Sequence, residues 1–246
     1  AGNSAPSGEN CQPWHFVVRG TTIEVHLLPE RDQSAYSWGQ RASYLANGTV
    51  IENIVIAASA EQYRAEVKYF PNQSDEWHVA TIVLIKDSTI EPDPLASFVS
   101  KRISNRKPYT KDPLTGEERA ILTGAVTHEE YGTFVLVETP EEIGRLGRVG
   151  STNEEVMLAN RSLHQFFFSH VSWTKEEDDE KKAGFYIKTL ELPPPAEKMF
   201  KLFSNWSIMR VLARLGFNRL IAKQNASTNA SASAVGDSTT CAGAVV

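Results

Sequence analysis

The sequence predicts an α+β fold, in which a mixed or antiparallel sheet packs with helices around a central buried helix. Short β-rich runs open the chain and recur before residue 90, a dense apolar segment with helical spacing separates them, and longer helical patterns dominate after residue 115. The chain has 246 residues, of which 41% are hydrophobic and 22% charged. This composition supports a sizeable core and excludes the disordered and fibrous classes.

The first part of the chain contains the elements of the sheet and the central helix. Two β-rich runs flank a turn at Gly20 and indicate a hairpin, and a later run is apolar on both faces, which is typical of an interior strand. Between them, apolar residues recur at helical spacing. We predict strands over 15–19, 22–28, 65–70 and 78–86, and the central helix over about 39–62.

A polar, proline-containing stretch over 87–94 is the best candidate for a boundary between two halves, 1–92 and 93–246. In the second half, Thr115 followed by Glu118 forms a capping box that opens a helix. We further expect a short helix over 95–100, a strand over 133–137, a helix over 151–171, a charged helix start over 175–182 and an amphipathic stretch over 200–221. The tail 226–246 is weakly specified.

Charge and cysteine content narrow the function classes. Lys and Arg number 25 against 30 Asp and Glu, and the net charge of −5 gives no general reason to bind nucleic acid or an anionic membrane. Cys11 and Cys241 lie outside any CxxC or Cys/His spacing, so neither a disulfide framework nor a metal site is predicted. Apolar runs are too short to span a bilayer, and no signal peptide opens the sequence. We expect a cytoplasmic protein.

The first candidate site is the loop PSGENCQPW, which begins at Pro6 and leads into the first strand. Ser7, the Gly8 amide and Asn10 supply short, fixed donors and acceptors, and the prolines limit the conformations of the loop. These groups suit an aromatic heterocycle with polar edges. The alternative is a purely structural loop, in which Trp14 packs in the core and the polar side chains close backbone turns.

The second candidate site is the segment RISNR, in which Arg102 and Arg106 flank Ser104. Two guanidinium groups bind phosphate oxygens in a bidentate manner, and the hydroxyl between them adds a third hydrogen bond, so the segment suits a phosphate monoester. The alternative is a solvated basic segment that pairs with nearby acids.

Together the two motifs resemble the FMN-binding nitroreductases, and within them the single-chain type whose two halves mimic the usual homodimer. PSGENCQPWHFVV is similar to the Pro-Ser-x-x-Asn-x-Gln-Pro-Trp loop of that family, and RISNR to its Arg-x-Ser-x-Arg phosphate motif. IENIVIAASA resembles the family's long core helix, and RSLHQFFFSHVSWT a segment of the single-chain subgroup. The resemblance implies a nitroreductase-like fold with two pseudo-repeated halves in one chain.

The resemblance also implies roles for the residues of both motifs. Arg102, Ser104 and Arg106 would hold the FMN phosphate, and Arg106 would also reach the pyrimidine edge of the ring. The residues that approach the isoalloxazine would be Pro6, Ser7, Gly8 and Asn10, whereas Gln12 and Trp14 would be structural supports. Since the flavin carries the electron transfer, no catalytic side chain is predicted, and the histidines are interpreted as structural.

Spacing suggests that the sequence is a fragment. RISNR precedes the expected strand of the second half. A matching phosphate motif at the same distance before the first strand of the first half would lie about 14 residues before Ala1. The second half's counterpart of the PSGENCQPW loop would fall at 125–133, which lacks the Asn-x-Gln-Pro-Trp residues. We therefore expect one complete site in a chain that is short at both ends.

The function implied by the resemblance is that of an FMN-dependent oxidoreductase, which passes electrons from NADH or NADPH to a nitroaromatic, quinone or similar conjugated small molecule. An alternative is an FMN-sequestering protein with little turnover, and a third is a nonfunctional truncated relative. The expected assembly is a pseudo-dimer within one chain, for which a monomer would suffice. The sequence leaves the natural acceptor open.

Overall fold

A four-stranded sheet forms the first part of the structure. The computed structural model describes residues 1–34, 37–104, 113–124 and 134–223. The sheet consists of β1 (Trp14–Arg19), β2 (Thr22–Leu27), β3 (Tyr63–Tyr69) and β4 (His78–Lys86). Their order is β1-β2-β4-β3, and every neighbouring pair is antiparallel. The four predicted strands are confirmed, and their ends differ from the prediction by at most two residues.

Helix α1 (Arg41–Ala60) covers one face of this sheet. Val25 and Leu27 of β2 are 0% and 1% exposed, and they belong to the same buried cluster as Val50 and Ile51 of the helix. Burying one such side chain stabilises the fold by roughly 1.5–3 kcal/mol. The alternating apolar residues of β2 and the apolar residues of α1 therefore pack in one core, as the sequence predicts.

A buried amide ties α1 to the start of the sheet. The Nδ2 of Asn47 donates to the backbone oxygens of Pro13 and Ser43, at 2.9 Å each, and Asn47 is 1% exposed. Pro13 directly precedes β1, so this contact fixes the end of the loop that leads into the strand. The Pro13 carbonyl also accepts from the Leu28 amide at 3.1 Å, so the loss of Asn47 would cost the net energy of its own hydrogen bonds, about 1 kcal/mol each.

Helices dominate the rest of the described chain. Thr115 and Glu118 form the predicted capping box, in which the Glu118 amide donates to the Thr115 hydroxyl at 3.2 Å and the Thr115 amide donates to the Glu118 carboxylate at 2.8 Å. The elements are α2 (Gly116–Gly124), α3 (Pro140–Ala159), α4 (Arg161–Ser169), β5 (Val171–Ser172), α5 (Lys175–Lys181), β6 (Phe185–Tyr186), α6 (Pro194–Phe203) and α7 (Trp206–Arg214). Residues 217–223 are also helical.

One helix prediction in this region is wrong, because an asparagine cap interrupts the apolar pattern. The helix expected over 151–171 is divided at Asn160, whose Oδ1 accepts from the amides of Ser162 and Leu163 at 3.0 and 3.1 Å. The amphipathic stretch expected over 200–221 is helical, and Asn205 caps α7 within it in the same way. A side chain that satisfies free amides at a helix start competes with continuation of the preceding helix.

The short helix expected over 95–100 is present as the 3-10 helix Ala96–Phe98. The strand expected over 133–137 is wrong for 134–137, which form no strand and have no described strand paired with them. Glu138 instead forms a bidentate pair with Arg119, at 2.7 and 3.0 Å. Two segments named in the sequence analysis lie outside the described residues: 125–133, which includes the first residue of the expected strand, and the tail 226–246.

The chain divides into two compact units. The first comprises Ala1–Asn105 together with His170–Thr189, and the second comprises Arg106–Ser169 and Leu190–Val246. The first unit holds the four-stranded sheet, α1, α5 and the parallel pair β5 and β6. A segment from late in the chain thus completes a unit that is otherwise built from the first 105 residues. Among the described residues, no helix combines the length and apolarity needed to cross a membrane.

We expect Asn47→Ala to lower the free energy of unfolding by about 1–3 kcal/mol, because it removes two buried hydrogen bonds, to the Pro13 and Ser43 carbonyls. The matched control is Asn53→Ala on the same helix, where the Nδ2 is buried without a partner. Its removal should cost less than about 1 kcal/mol. Denaturant unfolding followed by circular dichroism measures both values. Equal losses in the two variants would contradict the role given to Asn47.

Candidate functional site

The PSGENCQPW loop has an unusual backbone. Glu9, Asn10 and Gln12 have φ angles of 51°, 53° and 50°, in the left-handed region that residues with a Cβ avoid. This conformation costs roughly 1–2 kcal/mol for a residue such as Glu9 or Gln12, whereas asparagine adopts it more readily. It persists only where the surroundings hold it, and such strain clusters at ligand sites and active sites. The loop is therefore a built feature rather than a simple connection into β1.

Hydrogen bonds within the loop and from a distant segment hold this conformation. The Ser7 hydroxyl accepts from the Gln12 amide at 3.0 Å. The Gln12 side chain donates to the Lys182 carbonyl at 2.8 Å, and the Gly184 amide donates to the Glu9 carbonyl at 2.8 Å. Residues 182–184 follow α5 and belong to the same unit as the loop. We call these residues the clamp, since they bind both left-handed parts of the loop.

The inner side of the loop is buried. Trp14 is 6% exposed, and its indole Nε1 donates to the Asn3 Oδ1 at 3.2 Å. Gln12 faces the clamp. Both residues thus make the supporting contacts that the sequence predicts for them, which fits the structural alternative for this part of the loop.

The outer side of the loop presents polar groups. Pro6, Gly8 and Asn10 are exposed, and Ser7 is half-buried. A Cβ added at Gly8 would meet no atom within 4 Å, so the backbone there faces open space. The Ser7 hydroxyl accepts from the Gln12 amide and is also hydrogen-bonded to the Cys11 side chain. The four loop residues proposed for the ring therefore combine a fixed backbone with donors and acceptors at the surface.

Arg102 lies against the start of this loop. Its Nε and Nη2 both donate to the Ser4 carbonyl, at 3.3 Å each, and Ser4 precedes Pro6 by two residues. The two motifs, about 90 residues apart in sequence, are thus brought together within the first unit. Ser104 is exposed two residues further on. Arg106 lies outside the described residues, so the structure places two of the three residues of the proposed phosphate cluster.

A buried carboxylate underlies the loop. Asp32 is 6% exposed and accepts from the Ser43 hydroxyl at 2.8 Å and from the Ser34 amide at 3.1 Å. Two effects raise the pKa of the Cys11 thiol to about 11. The larger is burial, and the second is the negative charge of Asp32. The Cys11 side chain is therefore a protonated, inert thiol near neutral pH.

Glu9 has a different electrostatic partner. Burial raises the pKa of the Glu9 carboxyl, while His170, whose Nε2 lies 3.5 Å from the Glu9 Oε2, lowers it and Asp32 raises it. His170, like the clamp, comes from the late segment of the first unit. The sequence carries no signal for these contacts, because they join residues more than 150 positions apart. Asp32 is likewise an ordinary polar residue in the sequence.

Comparison with known proteins adds evidence on the family. No family model matches the chain. An uncharacterized protein of Mycobacterium tuberculosis is 26% identical over 213 residues, which are 85% of this chain and 29% of that protein. Two proteins of the same organism carry the name "Putative NAD(P)H nitroreductase". One is 29% identical over 122 residues (48% of this chain, 35% of that protein), and the other, acg, is 27% identical over 168 residues (67% and 50%).

These relatives support the nitroreductase family. Their names also support a general oxidoreductase role, and the helices with antiparallel sheet are compatible with a nitroreductase-like fold. The chain spans half or less of the length of each relative. The activity, cofactor and acceptor of this chain are therefore matters for proposal.

The raised pKa of Cys11 predicts slow thiol chemistry. In a Cys241→Ser background, Ellman's reagent should label Cys11 slowly at pH 8, where a pKa of about 11 leaves about one thiol in a thousand ionised. The rate should keep rising above pH 9 rather than level off there. Denatured protein is the control and should react at once. Rapid labelling of the folded chain at pH 8 would contradict the buried, protonated state.

Proposed function

We propose that this chain carries an FMN site and belongs to an FMN-dependent oxidoreductase that passes electrons from NADH or NADPH to nitroaromatic, quinone or similar conjugated acceptors. The observation that carries the proposal is the contact of Arg102 with the Ser4 carbonyl, directly before the strained loop. This contact brings Arg102, the candidate ligand of the phosphate, next to the loop that is the candidate for binding the ring, within one unit. The relatives named as nitroreductases support the same reading.

The residues present fit the chemistry of FMN. The phosphate needs cationic, bidentate donors, and Arg102 offers an exposed guanidinium. The contact of its Nε and Nη2 with the Ser4 carbonyl holds that guanidinium beside the loop. We assign Ser104 and Arg106 to the same phosphate. The ring edge needs both donors and acceptors, which the exposed Asn10 amide and the Ser7 hydroxyl supply.

When bound, FMN accepts hydride from a nicotinamide and returns electrons to an acceptor. The chain's own residues then bind and orient. Arg102, Ser104 and Arg106 hold the phosphate, and Pro6, Ser7, Gly8 and Asn10 contact the isoalloxazine. The clamp keeps Glu9 and Gln12 in the left-handed conformation, so that the loop meets its ligand already formed and loses little entropy on binding. No side chain is assigned a catalytic proton transfer.

The wider organisation is part of the proposal. We assign residues 1–92 and 93–246 to the two halves of a pseudo-dimer in one chain, which needs no second copy. We place the protein in the cytoplasm, with a small-molecule acceptor and without nucleic-acid or membrane partners.

The alternative function is FMN sequestration with little turnover. One observation favours it: residues from late in the chain already contact the loop, since the clamp binds Gln12 and Glu9. The same segment would limit access to a ring held by that loop.

The visible spectrum of the purified chain, with FMN added and excess removed, tests the proposal. A flavin band that bleaches on anaerobic addition of NADH or NADPH is the expected result. A band that persists with both donors would favour sequestration. Failure to retain FMN would refute the proposed site in this chain.

Arg102→Ala combined with Arg106→Ala should abolish FMN retention without unfolding the chain, because the phosphate loses its bidentate donors. The matched control is Arg145→Ala with Arg148→Ala, which removes two exposed arginines of α3. Flavin absorbance after desalting reports retention, and circular dichroism reports folding. Equal retention in the two double variants would remove the phosphate assignment.

A further inference from the structure

Two histidines and an aspartate that belong to neither the PSGENCQPW loop nor the RISNR segment meet at the sheet. His26 of β2, His78 at the start of β4 and Asp75 in the preceding turn each offer a ligand atom, and these atoms lie within 4.8 Å of one another. The two imidazole rings are stacked, with centroids 4.4 Å apart and planes at 22°. All three side chains are half-buried. We call this set the histidine cluster.

A β-bulge places His78 in the cluster. Val25 pairs with Ala80, but the next residue, His26, pairs with His78, so β4 carries one extra residue at Val79. Val79 and Ala80 are consecutive and yet both buried, at 3% and 0% exposure. A regular strand would turn His78 to the same face as Ala80. The bulge reverses the phase and puts His78 beside His26 on the face opposite α1.

Both rings have partners that orient them. The Nε2 of His26 lies 3.6 Å from the Glu24 Oε2, on the same face of β2. The Nε2 of His78 is hydrogen-bonded to the Thr81 hydroxyl at 3.0 Å. Histidines that bind metals are ordinarily held in this manner, with one ring nitrogen fixed by a carboxylate or another oxygen. The third ligand is also fixed, because the Asp75 Oδ1 accepts from the Trp77 amide at 3.1 Å.

We propose that the histidine cluster binds a divalent first-row transition metal of the zinc type. Two imidazoles and one carboxylate form a donor set that suits zinc and leaves one position of a tetrahedron open. Ligands of one tetrahedral ion lie about 3.3–3.6 Å apart, given metal–ligand bonds of about 2.0–2.2 Å. The ligand atoms, which lie within 4.8 Å of one another, must approach by about 1 Å, and the stacked rings must turn so that a nitrogen of each points at the ion.

The ion would join elements that are separate in sequence. His26 belongs to β2, whereas Asp75 lies in the turn between β3 and β4. Metal binding therefore links this turn to β2 and stabilises the folded state by mass action.

Zinc titration of untagged, EDTA-treated chain tests the proposal. We expect about one equivalent of Zn²⁺ to bind by calorimetry and to raise the melting temperature. His26→Gln and His78→Gln should each weaken binding at least about tenfold, because each removes a ligand. Co²⁺ should give the visible absorption of a four-coordinate site in the native chain and lose it in both variants.

The matched control is His15→Gln. His15 of β1 is the cross-strand partner of His26 but lies outside the histidine cluster. This variant should bind Zn²⁺ within about twofold of the native chain. Absence of zinc binding by the folded native chain would overturn the proposal. Binding that survives both cluster substitutions, or that falls equally in His15→Gln, would overturn the assignment of these residues. Circular dichroism of each variant verifies folding, and neither flavin content nor activity enters the readout.

Discussion

One-sided burial of the four-stranded sheet is the constraint on which the first unit depends. Helix α1 covers the face that carries Val25 and Leu27, so the alternate residues of β2, including Glu24 and His26, must lie on the other face. The same packing fixes the end of the loop, because α1 carries the Asn47 that binds Pro13. The core thus positions both a strained loop at one end of β1 and a polar surface on the outer face.

The loop combines two requirements that ordinarily conflict. Its backbone adopts left-handed angles at three residues with side chains, while polar groups such as Asn10 remain at the surface. The conformation is held by hydrogen bonds from Ser7, from the clamp and from Arg31, whose guanidinium donates to the Gln12 carbonyl at 3.3 Å. A loop held in this way has a fixed set of groups, and the cost of its conformation is met in folding.

Local patterns predicted the local structure well. Alternation identified the four strands, apolar spacing identified α1, and the pair Thr115 and Glu118 identified the start of α2. The failures occurred where a competing cap or a missing partner decides the outcome, as at Asn160 and at 134–137. In the candidate site, residue chemistry marked the loop and Arg102 as candidates, and the resemblance added their roles. The clamp and the histidine cluster had no sequence signal, because tertiary pairing and one extra residue in β4 create them.

The clamp also has a consequence for synthesis. Gln12 and the carbonyl that it binds are 170 residues apart in the chain. At translation rates of about 5–20 residues per second, roughly ten to thirty seconds separate the emergence of the two partners. During that interval the nascent sheet can pair its strands, since β1 to β4 lie within the first 86 residues, whereas the loop lacks the contacts that hold its backbone. The left-handed form of the loop is consequently a late event in the biogenesis of this protein.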